Sequence, residues 1–139
     1  MAPEISHGGN FSYDEKGEFY STTTVYGYIK RDTTIESYKC LMTILNSQLF
    51  WWYLVNTGTV LANGYFRYKP NYIKSFPLPD QIKKKDAQHL EKLADKILEL
   101  KRRSTHADIS KLEKQLDAFI YNLYNLADEE IAIIIDIND

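Results

Sequence analysis

Leu45–Pro79 reads LNSQLFWWYLVNTGTVLANGYFRYKPNYIKSFPLP, and three textures succeed one another along it. A densely aromatic run comes first, with Leu45, Leu49 and Trp52 near the three–four spacing of a helix. A polar loop punctuated by Gly58 and Gly64 follows. Aromatic and basic residues then interleave, and Pro77 and Pro79 mark an extended exit. From Ala62 to Ser75 there are three cations and no anion. Thr57, Thr59, Asn63, Arg67 and Lys69 offer hydrogen-bonding groups, set among Tyr65, Phe66, Tyr68 and Tyr72. Cationic donors mixed with flat rings suit a polyanion that also has base edges to read. If Tyr65–Tyr68 is extended, Tyr65, Arg67 and Lys69 share one face and Phe66 and Tyr68 the other. Phe66 then anchors in the core while Arg67 projects outward. Arginine can bond guanine bidentately in the major groove, and Asn63 can pair with adenine in the same manner. The alternative for Arg67 is a bond to a backbone carbonyl that shapes the loop.

The order LNSxLFxxY, GT, GYFRxKPxYIxxFPxP resembles a known family. Its pieces are Leu45-Asn46-Ser47, Phe50, Tyr53, Gly58-Thr59, Gly64-Tyr65-Phe66-Arg67, Lys69-Pro70, Tyr72-Ile73 and Phe76-Pro77-Leu78-Pro79. It is similar to the TaqI-like C-terminal specificity domain, the target-recognition module of type IIG restriction-modification enzymes and related N6-adenine DNA methyltransferases. The resemblance is carried on through LxxLADKILELK (Leu90–Lys101) and LEKQLDAFIYNLYNLADEEI (Leu112–Ile131), about nine-tenths of the chain. It implies double-stranded DNA held in a cleft between this module and an N-terminal methyltransferase domain of the parent polypeptide. That domain, with or without a fused endonuclease, would flip and methylate an adenine. It would also be the one to bind S-adenosylmethionine, so no cofactor is expected here. The GYFRxKP motif recurs among members that read different targets. Lys30-Arg31 and Thr57–Asn63 are therefore the better places to seek base-specific contacts.

The whole-chain charge of −2 hides a strong division. Residues 1–56 carry four basic and six acidic groups, residues 57–106 eleven and five, and residues 107–139 two and eight. Nucleic acid responds to the local field, and the positive middle coincides with the aromatic–basic loop. Eleven tyrosines suit a face that is apolar and hydrogen-bonding at once. The single cysteine, Cys40, cannot form an internal disulfide or a thiolate cluster, and its apolar helical setting reads as a buried structural thiol. No apolar run is long enough to span a bilayer and no signal peptide is evident. A soluble, cytoplasmic protein with no membrane partner is the expectation.

The fold expected is α+β: a small β-rich recognition lobe over 11–85 with an N-terminal hairpin, then helical support over 86–139. Residues 1–10 read as a disordered lead or linker scar, with Met1 as a trimmed start. Phe11–Tyr13 and Glu18–Tyr20 flank the turn Asp14–Gly17 as a hairpin, and Thr22–Ile29 is a further strand. Ile35 to about Val55 is helical, capped by Thr33 or Thr34 and interrupted at Asn46-Ser47. Asn71–Ser75 forms one helical turn. Asp86–Lys101 and Asp108–Leu123 make an antiparallel helical pair, and Asp128 caps a short last helix.

Catalytic motifs are missing: there is no glycine-rich cofactor loop and no NPPY-type tetrapeptide. Asp80 with Glu99 and Lys101 mimics a PD…ExK nuclease pattern, but residues two apart on a helix diverge, so no metal site is expected. His7, His89 and His106 are scattered and read as solvated or capping residues. Lys83–Lys85 is either a solvated helix lead-in or a phosphate contact. The candidate DNA-binding residues are Lys30, Arg31, Thr57, Thr59, Asn63, Tyr65, Arg67 and Lys69. The competing function is a helical protein–protein interaction or dimerisation module built on 86–135.

Overall fold

Two serines divide the apolar stretch into two helices. In the computed structural model, which describes residues 1–6, 8–21 and 24–136, α1 spans Tyr38–Leu45 and α2 spans Gln48–Thr57. Ser37 Oγ accepts from Cys40 N and Ser47 Oγ from Phe50 N, each at 3.2 Å. Each hydroxyl thereby satisfies an amide that the first turn leaves orphaned. The break at Asn46-Ser47 is where the sequence puts it, but the cap is Ser37, not Thr33 or Thr34. Thr34 N turns back to Arg31 O at 2.9 Å, and Lys30 Nζ takes the carbonyls of Thr34 (3.2 Å) and Glu36 (3.1 Å). Those bonds hold Ile35 and Glu36 out of the helix.

Asn46 faces the opposite way. Its amide donates to Phe11 O at 2.9 Å and accepts from Phe11 N at 2.8 Å, as a strand neighbour would. The backbone at Gly9 approaches so closely that a Cβ there would stand 2.9 Å from the Asn46 Cα.

The N-terminal residues read as a lead are strands in the structure. β1 (Ala2–Pro3) pairs antiparallel with β3 (Val25–Tyr26), and β2 (Ile5–Ser6) pairs antiparallel with β4 (Phe66–Arg67). Each strand has two residues, so the lobe is not β-rich; helices dominate the fold, which stays broadly α+β. The expected ladder across Phe11–Tyr20 is absent among the described residues. Asp14 takes its place, accepting from Gly17 N (2.9 Å), Glu18 N (3.2 Å) and Phe19 N (2.9 Å). Those donors hold its carboxyl below the usual carboxylate range. Of the strand expected over Thr22–Ile29, only Val25–Tyr26 is paired; Thr22 and Thr23 lie outside the described residues, as does His7.

Downstream come α3 (Pro70–Lys74), α4 (Lys84–Arg103), α5 (Ser110–Leu123) and α6 (Asp128–Asp136). α4 lies chiefly along α1, tied by Ser37 Oγ to Glu91 and by Lys39 Nζ to Asp95 at 2.8 Å. α4 and α5 run antiparallel, as expected. The His89 and Phe119 rings meet at 4.5 Å near one end, and Lys101 Nζ reaches Ala107 O at 3.0 Å at the other. Asp128 is the first helical residue of α6 rather than its cap; Glu130 reaches back to accept from Ala127 N at 2.8 Å, half of a capping box. Leu90, Leu93, Leu116 and Ile120 are buried in one cluster with Phe50, Leu54, Tyr68 and Phe76. The apolar faces of α4 and α5 are therefore used inside the chain. Cys40 is fully buried, and burial pushes its thiol up to about 11.

Candidate nucleic-acid interface

The loop after α2 closes into a tight hairpin. Val60 bridges Phe66, Leu61 N donates to Tyr65 O at 2.7 Å, and a 3-10 turn spans Ala62–Gly64. Asn63 (φ 63°) and Gly64 (φ 73°) are both left-handed, and with Ala62 they make a three-residue hairpin loop. On the far side of β4, β2 supplies the second partner. Arg67 thus stands in the middle of a three-stranded patch: opposite Ile5 on one side, and donating its backbone N–H to Thr59 O at 3.4 Å on the other.

Burial alternates along the strand as the sequence predicts. Phe66 and Tyr68 are buried, while Tyr65 and Lys69 are exposed and Arg67 is half-buried. Phe66 meets the edge of Trp51 at 5.4 Å, which seats the hairpin on α2. Tyr68 is fully buried and donates its hydroxyl to Gly8 O. Gly58 joins α2 to the hairpin; a Cβ there would lie 2.6 Å from Leu54 O, so only glycine fits.

The eight candidate residues divide. Three are occupied within the chain: Thr57 Oγ1 donates to Tyr53 O at 2.7 Å, Thr59 Oγ1 bonds Tyr72 Oη at 2.5 Å, and Lys30 Nζ holds two carbonyls while lying 5.7 Å from the Tyr38 ring centre. Arg31 is exposed on the loop before α1, and Lys30 lines a groove to which the hairpin residues do not contribute. The structure thus brings Asn63, Tyr65, Arg67 and Lys69 together on one hairpin edge, and leaves Lys30 and Arg31 apart from it.

Arg67 and Lys69 form no ion pair among the described residues. The Arg67 Nε is buried and has no hydrogen-bond partner there. A buried donor without an acceptor costs about 1–3 kcal/mol. That nitrogen is thus not spent on a neighbouring carbonyl. Lys69 sits at the N-cap of α3, where a cation opposes the helix dipole. It does nothing for the helix and everything for the charge of the edge. Lys74, the third cation of the Ala62–Ser75 stretch though not among the candidate residues, is exposed and extends the same basic run. The nuclease-like residues are engaged elsewhere. Glu99 pairs with Arg103, and Lys101 Nζ holds the carbonyls of Thr105 and Ala107.

The hairpin thus sets aromatic rings beside cations that have no ion pair among the described residues. By family comparison, the chain belongs to the TaqI-like C-terminal specificity domain family, whose model matches residues 1–78. That family is non-catalytic and points to DNA recognition within restriction-modification enzymes. The match takes in both aromatic helices, the hairpin and α3, and ends before α4; the downstream helices attached to the resemblance lie outside it. Neither the curated proteins nor the solved structures give a match. Among the described residues, no helix is long and apolar enough to cross a membrane.

Proposed function

We propose that this chain is the target-recognition module of a bacterial type IIG or related adenine-specific DNA methyltransferase. It reads duplex sequence and leaves methyl transfer to a separate catalytic domain that binds S-adenosylmethionine. The observation that carries this reading is the half-buried Arg67, with neither an ion-pair nor an Nε partner among the described residues, beside exposed Lys69 on a rigid hairpin. A guanidinium held this way is ready to donate to a base edge or a phosphate, and the strand fixes its direction. Asn63 and Tyr65, at the tip and on the same edge, would meet the adjoining groove wall. Lys69, with Lys74, would neutralise phosphates and set the register.

The experiment is fluorescence anisotropy on a randomised duplex pool and on a selected site, in low and moderate salt. Arg67→Ala with Lys69→Ala is expected to abolish specific binding while the thermal melt is not lowered, since the change removes a buried, unpaired donor. Arg67→Lys separates the two uses of the side chain. It should keep the non-specific affinity yet lose about 1–3 kcal/mol of discrimination if Arg67 reads a base. Full retention of site preference by the double variant would falsify the proposal.

A further inference from the structure

Thr59 and Tyr72, 13 positions apart in the chain, bring their hydroxyls together at 2.5 Å. We propose that the pair is a clamp: Tyr72 holds the outer arm of the hairpin, and Thr59 on that arm fixes the direction in which Arg67 leaves the surface. Both are positioning residues. The assignment deepens the reading above, in which Arg67 touches DNA, and its effect on recognition rests on that reading.

The two arms of the hairpin are held very differently. The inner arm, β4, is anchored by buried Phe66 and is bonded on its far side to β2. The outer arm, Thr59–Leu61, buries no side chain: Thr59 is exposed, Val60 is 62% exposed and Leu61 is half-buried. Its backbone ties to the inner arm include Leu61 N to Tyr65 O at 2.7 Å and Arg67 N to Thr59 O at a long 3.4 Å. An arm with so little apolar burial opens at low cost. The Thr59 hydroxyl joins it to the folded body, because the half-buried Tyr72 ring packs from α3 against the core.

The register makes this matter to Arg67. Val60 bridges Phe66, so Thr59 stands opposite Arg67, and paired residues of an antiparallel ladder share a face. The Thr59 side chain therefore flanks that of Arg67. Arg67 has no ion pair among the described residues, and its Nε has no hydrogen bond there. Its direction is thus set by the walls beside it rather than by bonds of its own, and a displaced Thr59 removes one wall. The pair is less suited to gripping DNA directly. Each hydroxyl has one proton, one of the two is spent within the pair, and neither carries a charge with which to hold phosphate.

Tyr72→Phe and Thr59→Val each delete half of the pair and keep the shape; melting curves serve as the folding control. Hydrogen exchange on the free chain reads the clamp without DNA. In Tyr72→Phe the Leu61 and Arg67 amides should exchange about fivefold faster, the loss expected of one hydrogen bond, while the Tyr68 amide, bonded to Glu4 O, should not change. With duplex DNA, each variant should lose about fivefold in preference for the selected site over the randomised pool, at unchanged non-specific affinity, because no charge is altered. The double variant should lose no more than either single one. Thr59→Ser keeps the hydroxyl and should behave as the parent. In the Arg67→Ala chain, Tyr72→Phe should leave DNA binding unchanged.

Unchanged exchange in Tyr72→Phe overturns the assignment, as does full site preference in either single variant or additive losses in the double. A loss of affinity on adding Tyr72→Phe to the Arg67→Ala chain also overturns it, since the hydroxyl then touches DNA itself. A parent chain that shows no site preference, while Tyr72→Phe still speeds exchange at Leu61 and Arg67, keeps the clamp and sinks the recognition reading.

Discussion

Asp117 on α5 is tucked beneath the start of α2, where its Oδ1 accepts from Gln48 N at 2.9 Å and Tyr121 Oη donates to Gln48 Oε1 at 3.0 Å. Burial pushes its carboxyl up to about 6, against the pull of the Gln48 amide, and nearby Glu113 adds to the rise. The folded pKa is above the usual 3.8, so the folded state holds this proton more tightly than the unfolded chain. The stabilising contribution is whole below 3.8 and is lost as pH rises through about 6. Asp117→Asn keeps an oxygen for Gln48 N without the charge. It should be more stable than the parent at pH 8, by roughly 1 kcal/mol once partial exposure is allowed for, and no more stable near pH 4. Urea melts at the two pH values check this; an equal offset at both would refute the ionisation argument. Asn46 is a second residue whose chemistry is now explicit. The LNS motif reads as a helix break, but the break exists so that Asn46 can clamp Phe11 while Ser47 caps α2. Asn46→Ala removes both bonds to Phe11 and should cost about 2 kcal/mol in chemical denaturation.

At the level of elements, the hairpin is the part that the sequence analysis under-read. Ala62-Asn63-Gly64 between Val60-Leu61 and Tyr65-Phe66 is a three-residue hairpin signal with glycine at its end, yet it passed for loop punctuation. Asn63 consequently has a backbone duty apart from any contact with adenine. Two substitutions separate these roles. Asn63→Gly keeps the left-handed turn and removes the side chain, so it should melt like the parent; a lost base preference then assigns reading to Asn63, and an unchanged one assigns it to the turn alone. Asn63→Ala keeps the β-carbon at φ 63° but loses the short polar side chain that makes this conformation tolerable, and should cost about 1 kcal/mol. Gly58→Ala should also destabilise, despite alanine's better helix propensity, because the added carbon would meet a backbone oxygen at 2.6 Å. It should lower DNA affinity as well, since the hairpin hangs from that residue.

Across the whole molecule, charge is laid out by function. The basic middle, residues 57–106, carries the hairpin edge, α3 and α4, whereas α5 and α6 together hold six acids against two bases. On the proposed reading, a duplex would be held by Arg67, Lys69 and Lys74. With about three phosphates neutralised, the logarithm of the DNA affinity should fall with the logarithm of salt at a slope near −3, and Lys69→Ala should reduce it by about one. A slope near zero in the parent chain would contradict an electrostatic grip.

What the sequence by itself determined is what local spacing encodes. The helices, the interruption at Asn46-Ser47, the inward Phe66 and Tyr68 beside the outward Tyr65 and Lys69, and the buried Cys40 all follow from periodicity that a few neighbouring residues carry. The strands were not legible, because two residues have no periodicity of their own. Ala2–Pro3 become a strand only through partners more than twenty positions away, and Ile5–Ser6 through partners 60 and 62 positions away. Nor could spacing tell which cations are available. Lys30 is consumed by carbonyls that the fold brings to it, and Arg67 keeps its donors because β2 and Thr59 take only backbone groups. Whether a charged side chain is occupied depends on which acceptors arrive beside it in space, and only the tertiary structure decides that.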